Sequence, residues 1–165
     1  VNPDKQSEQF LLLMQWMEQA GYEHYEISNF AKPGRRSRHN SSYWQRKKYL
    51  GLGPSAHSFN GKERVWNIAN NNIYINSINK GVIPSEKEEL TVVQQLNEYI
   101  MISLRTMEGI SFEVLRSKFG IEKIAFLNKS KKFLDNNLMA ETRESLILTK
   151  EGKLLADGIA ADLFS

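Results

Sequence analysis

Apolar side chains recur along this chain with two different periods, and the points where one period gives way to the other mark its elements. From Asp4 to Ala20, Phe10, Leu13, Met14 and Met17 fall on one face of a 3.6-residue repeat, Pro3-Asp4 offers a start and Gly21 a stop, so a helix is predicted there. Tyr22 to Ile27 alternates and ends aromatic and β-branched, which predicts a short strand. Helix, glycine and strand make one turn of an α/β repeat. A parallel strand of that kind implies partner strands on its N-terminal side, and the start at Val-Asn-Pro, without Met, adds the expectation that the chain is a piece of a longer one.

At Ser28-Asn29 the chain is expected to leave the strand for a loop broken at Pro33-Gly34. Tyr43-Trp44 suits the start of a helical turn and Tyr49 to Leu52 an extended segment. Ala56–Phe59 and Arg64–Ile68 read as hairpin arms around Asn60-Gly61, with Trp66 packed on one hairpin face. A short helix is predicted from Asn70 to Lys80, ended by Gly81. Pro84-Ser85 then opens a second unit. Ser85 with Glu88 matches a capping box, and Val92, Val93, Leu96, Ile100, Leu104 and Met107 trace the stripe of a long helix. Further helices are predicted over Ser111–Phe119, stopped by Gly120, and Glu122–Asn136, with Ile124, Leu127 and Phe133 inward. A ribbon of Leu138–Glu141 and Ser145–Leu148 follows, then a last helix capped by Thr149 and bearing Leu155, Ile159 and Leu163. The predicted organisation is therefore an α/β remnant with a loop and hairpin over residues 1–83, and a mainly helical, winged-helix-like domain over residues 84–165.

Composition narrows the function classes. In 165 residues, 41% hydrophobic and 25% charged, no apolar run reaches the roughly 20 residues needed to span a bilayer. Zero cysteines removes disulfides and thiolate-held metals or iron–sulfur clusters from this chain, and suits a cytoplasmic location. The net charge of +3 is mild but unevenly placed: Lys32, Arg35, Arg36, Arg38, Arg46, Lys47 and Lys48 are gathered with no acidic residue among them. Such a loop attracts anions, although solvated basic loops are also common. A winged-helix arrangement raises a nucleic-acid alternative, in which Lys123, Lys129, Lys131 and Lys132 contact phosphates and Asn128 a base; Phe126 and Phe133 on the same helix argue against it. The stretch GLGPSA (Gly51–Ala56) fits the glycine spacing of a dinucleotide loop but lacks the following helix and the later acidic residue. Its glycines read instead as permitting close backbone approach to a ligand or a neighbouring strand.

All the chain's histidines, His24, His39 and His57, lie between Gly21 and Asn60, fifteen and eighteen residues apart, which matches no compact zinc spacing. His39 stands out because Asn40, Tyr43 and Trp44 follow it within a basic loop. That group offers an imidazole to a haem iron, flat aromatic surfaces to a macrocycle and cations to propionates. The alternative, in which His39 and Asn40 hydrogen-bond within the loop while Tyr43 and Trp44 anchor it, is left open by the residues alone.

Three ordered motifs, GYEHYEISNFA (Gly21–Ala31), HNSSYW (His39–Trp44) and YLGLGPSAHSF (Tyr49–Phe59), resemble the C-terminal part of radical SAM proteins related to oxygen-independent coproporphyrinogen III oxidase. The HNxxYW pattern looks most like the haem chaperones of the HemW type, where it is associated with haem binding. The resemblance implies an incomplete (β/α) barrel whose last element lies here. It implies a three-cysteine [4Fe-4S] cluster and S-adenosylmethionine held by a full-length parent, and no radical chemistry by this stretch alone. It also implies haem as ligand at His39, Asn40, Tyr43 and Trp44, with His39 on the iron and His57 as rival ligand. Arg35, Arg36 and Arg38 are candidates for the propionates by charge type. Haem-acceptor proteins are the implied partners, contact with a membrane surface is left open, and decarboxylation of coproporphyrinogen III is the alternative activity.

Overall fold

The structure, a computed structural model, describes residues 2–165. Two compact units emerge, one comprising the chain up to Arg38 together with Gln95–Ser165, the other His39–Gln94. The expected division at residues 83 and 84 is thereby replaced by one in which the middle of the chain forms its own unit.

In the first unit α1 (Pro3–Gln19) begins at Asn2, whose side-chain oxygen accepts from the backbone N–H groups of Asp4 and Lys5. Met14 is its buried anchor, whereas Leu13, expected on the same face, is exposed. After Gly21 the strand predicted at Tyr22–Ile27 forms as β1 (Glu23–Glu26). The chain does not run on into a loop at Ser28. It turns back as β2 (Asn29–Ala31), antiparallel to β1, with His24 opposite Phe30 and Glu26 opposite Asn29. Glu26 closes this turn itself, since its carboxylate accepts from the Ser28 N–H at 3.1 Å and from the Asn29 amide.

The second unit starts within α2 (Arg38–Trp44). The predicted hairpin is present as β3 (His57–Phe59) and β4 (Glu63–Asn67), and α3 (Asn71–Ile78) is capped by Asn70. Ser85 does not cap a helix: β5 (Ser85–Glu89) pairs with β4 from Asn67↔Ser85 to Glu63↔Glu89, which gives a sheet in the order β3-β4-β5. All five residues of β5 are exposed, so this edge strand lacks the apolar alternation that would have marked it. The capping box lies later, where Thr91 N–H donates to Gln94 Oε1 at 2.8 Å and Gln94 N–H donates to Thr91 Oγ1 at 3.2 Å.

From that cap α4 (Val92–Leu104) passes back into the first unit, followed by β6 (Ile110–Ser111), α5 (Phe112–Phe119), α6 (Lys123–Asp135), β7 (Met139–Glu141), β8 (Ser145–Leu148), α7 (Lys150–Lys153) and α8 (Ala156–Asp162). The small sheet has the order β6-β8-β7. Leu96, Ile100, Leu104, Leu115, Phe126, Phe133, Ile159 and Leu163 form its apolar core. Val92, Val93 and Met107, expected on the inner stripe, are exposed, and so are Ile124 and Leu155. In α6 the buried face is set by Phe126 and Phe133, two turns apart; Leu155 stands at the break that divides the predicted last helix into α7 and α8. No helix among the described residues is long and apolar enough to cross a membrane.

One buried charge fastens the β1–β2 turn to the end of α4. Glu26 is 2% exposed, and its second oxygen accepts from Arg105 Nε at 3.3 Å, while Arg105 Nη1 reaches Asp157 at 2.9 Å. Backbone bonds run alongside, from Ile27 N–H to Arg105 O at 2.9 Å and from Met107 N–H to Tyr25 O at 3.1 Å. A buried carboxylate stripped of its cation is costly, on the order of 3 kcal/mol, whereas an exposed ion pair contributes about 0–1 kcal/mol. Arg105→Ala is therefore expected to lower the urea unfolding free energy by about 3 kcal/mol, and Asp157→Ala by much less; equal losses would contradict a buried charge as the fastening.

Candidate functional site

The site expected at His39 is built on α2, whose C-terminus closes on itself. Arg46 N–H donates to Tyr43 O and Lys47 N–H to Ser42 O, both at 3.0 Å, with Arg46 in the left-handed region at φ 52°. This is the double closure usually assigned to glycine. Arg46 holds the position with its guanidinium 5.6 Å from the Phe59 ring centre, and burial together with Arg64 depresses its pKa.

His39 is exposed on α2, and one turn later Tyr43 meets it edge-on, ring centres 5.1 Å apart at 89°. Tyr43 also meets Tyr49, at 5.3 Å and 65°. Tyr49 is bonded to Phe59 in both directions, at 3.0 and 2.9 Å, and the two rings are 6.3 Å apart. Asn40 and Trp44 lie on the same helix and are partly buried. Sequence spacing brought out His39, Asn40, Tyr43 and Trp44 but not the addition of Tyr49, which depends on a strand contact ten residues further along the chain.

The glycine-rich stretch has a structural use that fits the close-approach reading. A Cβ on Gly51 would sit 2.1 Å from the His57 carbonyl oxygen, so only glycine lets this segment lie against β3. Gly51 N–H donates to Ser58 Oγ at 2.9 Å, and the buried Asn67 amide donates to Gly53 O at 2.8 Å. Strand β3 follows, not the helix a dinucleotide loop needs.

His57, the rival ligand, is exposed at the start of β3 and lies opposite Trp66, ring centres 6.3 Å apart. Among the arginines, Arg35 and Arg38 are exposed. Arg36 is already matched: it bonds Glu108 at 2.6 Å and Glu23 at 3.2 Å, and these carboxylates raise its pKa. A cation already held by two carboxylates has less to offer a further anion. On the helix considered for nucleic acid, Lys123 pairs with Glu141 and Lys132 with Asp162, each at 2.6 Å, and Lys129 donates to Phe164 O at 2.9 Å.

His24 is spoken for by its own surroundings. One ring nitrogen is 2.9 Å from Ile27 O and the other accepts from Lys153 Nζ at 3.0 Å, which fixes a neutral ring and occupies both metal-binding positions. The ring stacks on Phe30 at 4.1 Å. No group of three or more His, Cys, Asp or Glu that would suit a metal ion occurs among the described residues.

Residues 90–155 match the family of the HemN C-terminal domain. The chain is 32% identical over 158 residues to the heme chaperone HemW of Bacillus subtilis (strain 168), covering 94% of this chain and 42% of that protein. It is 30% identical over 145 residues to the heme chaperone HemW of Mycobacterium tuberculosis (strain CDC 1551 / Oshkosh), covering 87% and 35%. Its fold is similar to that of coproporphyrinogen III oxidase (HemN) from Escherichia coli, described as a radical SAM enzyme, with a TM-score of 0.68 at 15% identity over 93% of this chain and 39% of that one. The chain thus spans less than half the length of these relatives.

Burial lowers the His24 pKa, the ammonium of Lys153 adding to the effect, so below about pH 6.5 the unfolded chain takes up a proton that the folded chain resists. Stability is accordingly expected to fall as pH drops from 7 towards 5. His24→Gln should make that fall shallower in urea titrations at each pH; an unchanged slope would show that His24 is not held neutral.

Proposed function

We propose that the chain forms the haem-holding portion of a HemW-type radical SAM haem chaperone, which binds haem and passes it to acceptor proteins; its identity to two heme chaperones HemW supports the reading. The observation that carries this reading is the pairing of an exposed imidazole, His39, with an edge-on aromatic ring one helical turn away. A neutral imidazole is a ready axial ligand for haem iron, and aromatic side chains suit the flat macrocycle. In this reading His39 takes the iron, Tyr43 and Trp44 pack near the macrocycle and Asn40 orients the site. Arg35, Arg36 and Arg38 are the candidate propionate partners by charge type, and His57 is the rival ligand.

The [4Fe-4S] cluster and S-adenosylmethionine belong to this proposal as groups held elsewhere in a longer protein, because this chain supplies no thiolate. The same proposal takes β1 as the last strand of an incomplete barrel, takes the β6-β8-β7 sheet with α5 and α6 as a winged-helix-like unit, and places the protein in the cytoplasm. Coproporphyrinogen oxidation is the competing activity. It acts on a metal-free porphyrinogen, which needs no iron ligand, and the likeness to HemN at 15% identity speaks to fold alone.

Haem titration of the intact protein, followed by the Soret band, tests the reading. His39→Ala is expected to weaken binding at least tenfold and shift the band, with His57→Ala close to wild type. Loss only in His57→Ala would move the iron to the rival, and a wild-type protein that binds no haem but decarboxylates coproporphyrinogen over many turnovers would replace the chaperone by the oxidase.

A further inference from the structure

The helix that carries His39 buries none of its seven residues. Two turns of helix hold too few internal hydrogen bonds to be stable alone, so the pose of α2 depends on what its side chains lean against. Tyr43 leans on Tyr49 at 5.3 Å, and Tyr49 is attached to β3 by its two backbone bonds with Phe59, a residue 7% exposed. A file of rings thus runs from the sheet to the imidazole: Phe59, Tyr49, Tyr43, His39.

We propose that Tyr49 is a positioning residue of the haem site, fixing the tilt of the His39 imidazole through the ring of Tyr43. The inference rests on the haem-binding reading of His39 and adds a residue outside the HNxxYW motif to it. An edge-to-face contact is directional, so the Tyr43 ring restricts which way the imidazole faces, and the Tyr49 ring restricts Tyr43 in the same manner. The strand bonds give the file a fixed end, which a helix without buried residues lacks. The ring of Tyr49 carries the effect, not its hydroxyl.

The test compares Tyr49→Ile with Tyr49→Phe in the intact protein. Isoleucine is β-branched and suits the bridge to Phe59 while removing the ring; phenylalanine keeps the ring. Haem release to excess apomyoglobin and the ferric Soret and spin-state spectra are read together, with unfolding midpoints measured alongside. Tyr49→Ile is expected to release haem about three- to tenfold faster, the range an aromatic pair is worth, and to alter the ferric spectrum, while Tyr49→Phe matches wild type in both. Should Tyr49→Ile fail to fold, Tyr49→Leu is read in its place. If His39→Ala disturbs binding but the isoleucine or leucine variant leaves rate and spectrum unchanged, this inference is wrong and the haem reading stands. If His39→Ala leaves binding unchanged, the iron is not on His39 and this inference fails with that assignment, whether or not His57 holds the haem.

Discussion

A carboxylate with almost no surface in water must be answered by donors, and Glu26 is answered by three: a backbone N–H, an amide and a guanidinium Nε. Asp157, paired with the same guanidinium, holds the cation in place. Local donors alone would close the β1–β2 turn. Arg105 does more, because it comes from the end of α4 and draws the turn against the core of the same unit, where the Ile27–Arg105 and Met107–Tyr25 backbone bonds add direction. A buried ion pair is weak evidence for net stability but strong evidence for register, since any other pairing would leave the charge unmet.

The other unit solves a different problem. Its sheet has an exposed polar edge strand, and no residue of its short helix α2 is fully buried. Order there comes from backbone approach: Gly51 lies so close to His57 that no side chain fits, and the neighbouring Tyr49–Phe59 bonds hold the segment to β3. On the proposed reading, an exposed imidazole on a helix held by rings at its edge would suit a carrier that must release its cargo. A deeply buried ligand would bind more tightly and let go more slowly.

Much of this was legible in the residues. The helices with apolar stripes, the Asn60-Gly61 hairpin, the Thr149 cap and the His39–Tyr43 pair all follow from local periodicity and spacing. What failed was decided by pairings that the apolar pattern does not register. Ser85–Glu89 carries a helix-start signature and no apolar alternation, yet it is a strand because β4 offers it a partner. Asn29–Ala31 became a strand because Glu26 closes the turn before it, and the pairing of Arg36 with Glu108, 72 residues away, has no local signature. Tyr49 was visible as an aromatic residue, but its place in the site depends on the pairing with Phe59, which no local pattern announces.

The central claim is that the His39 imidazole binds iron. Crystals of the intact protein soaked with haem, with anomalous scattering measured at the iron edge, would locate the metal without reference to any spectrum. The account predicts a single iron peak within bonding distance of the His39 ring, with Tyr43 at the macrocycle. An iron peak on His57, or on neither histidine, would contradict it.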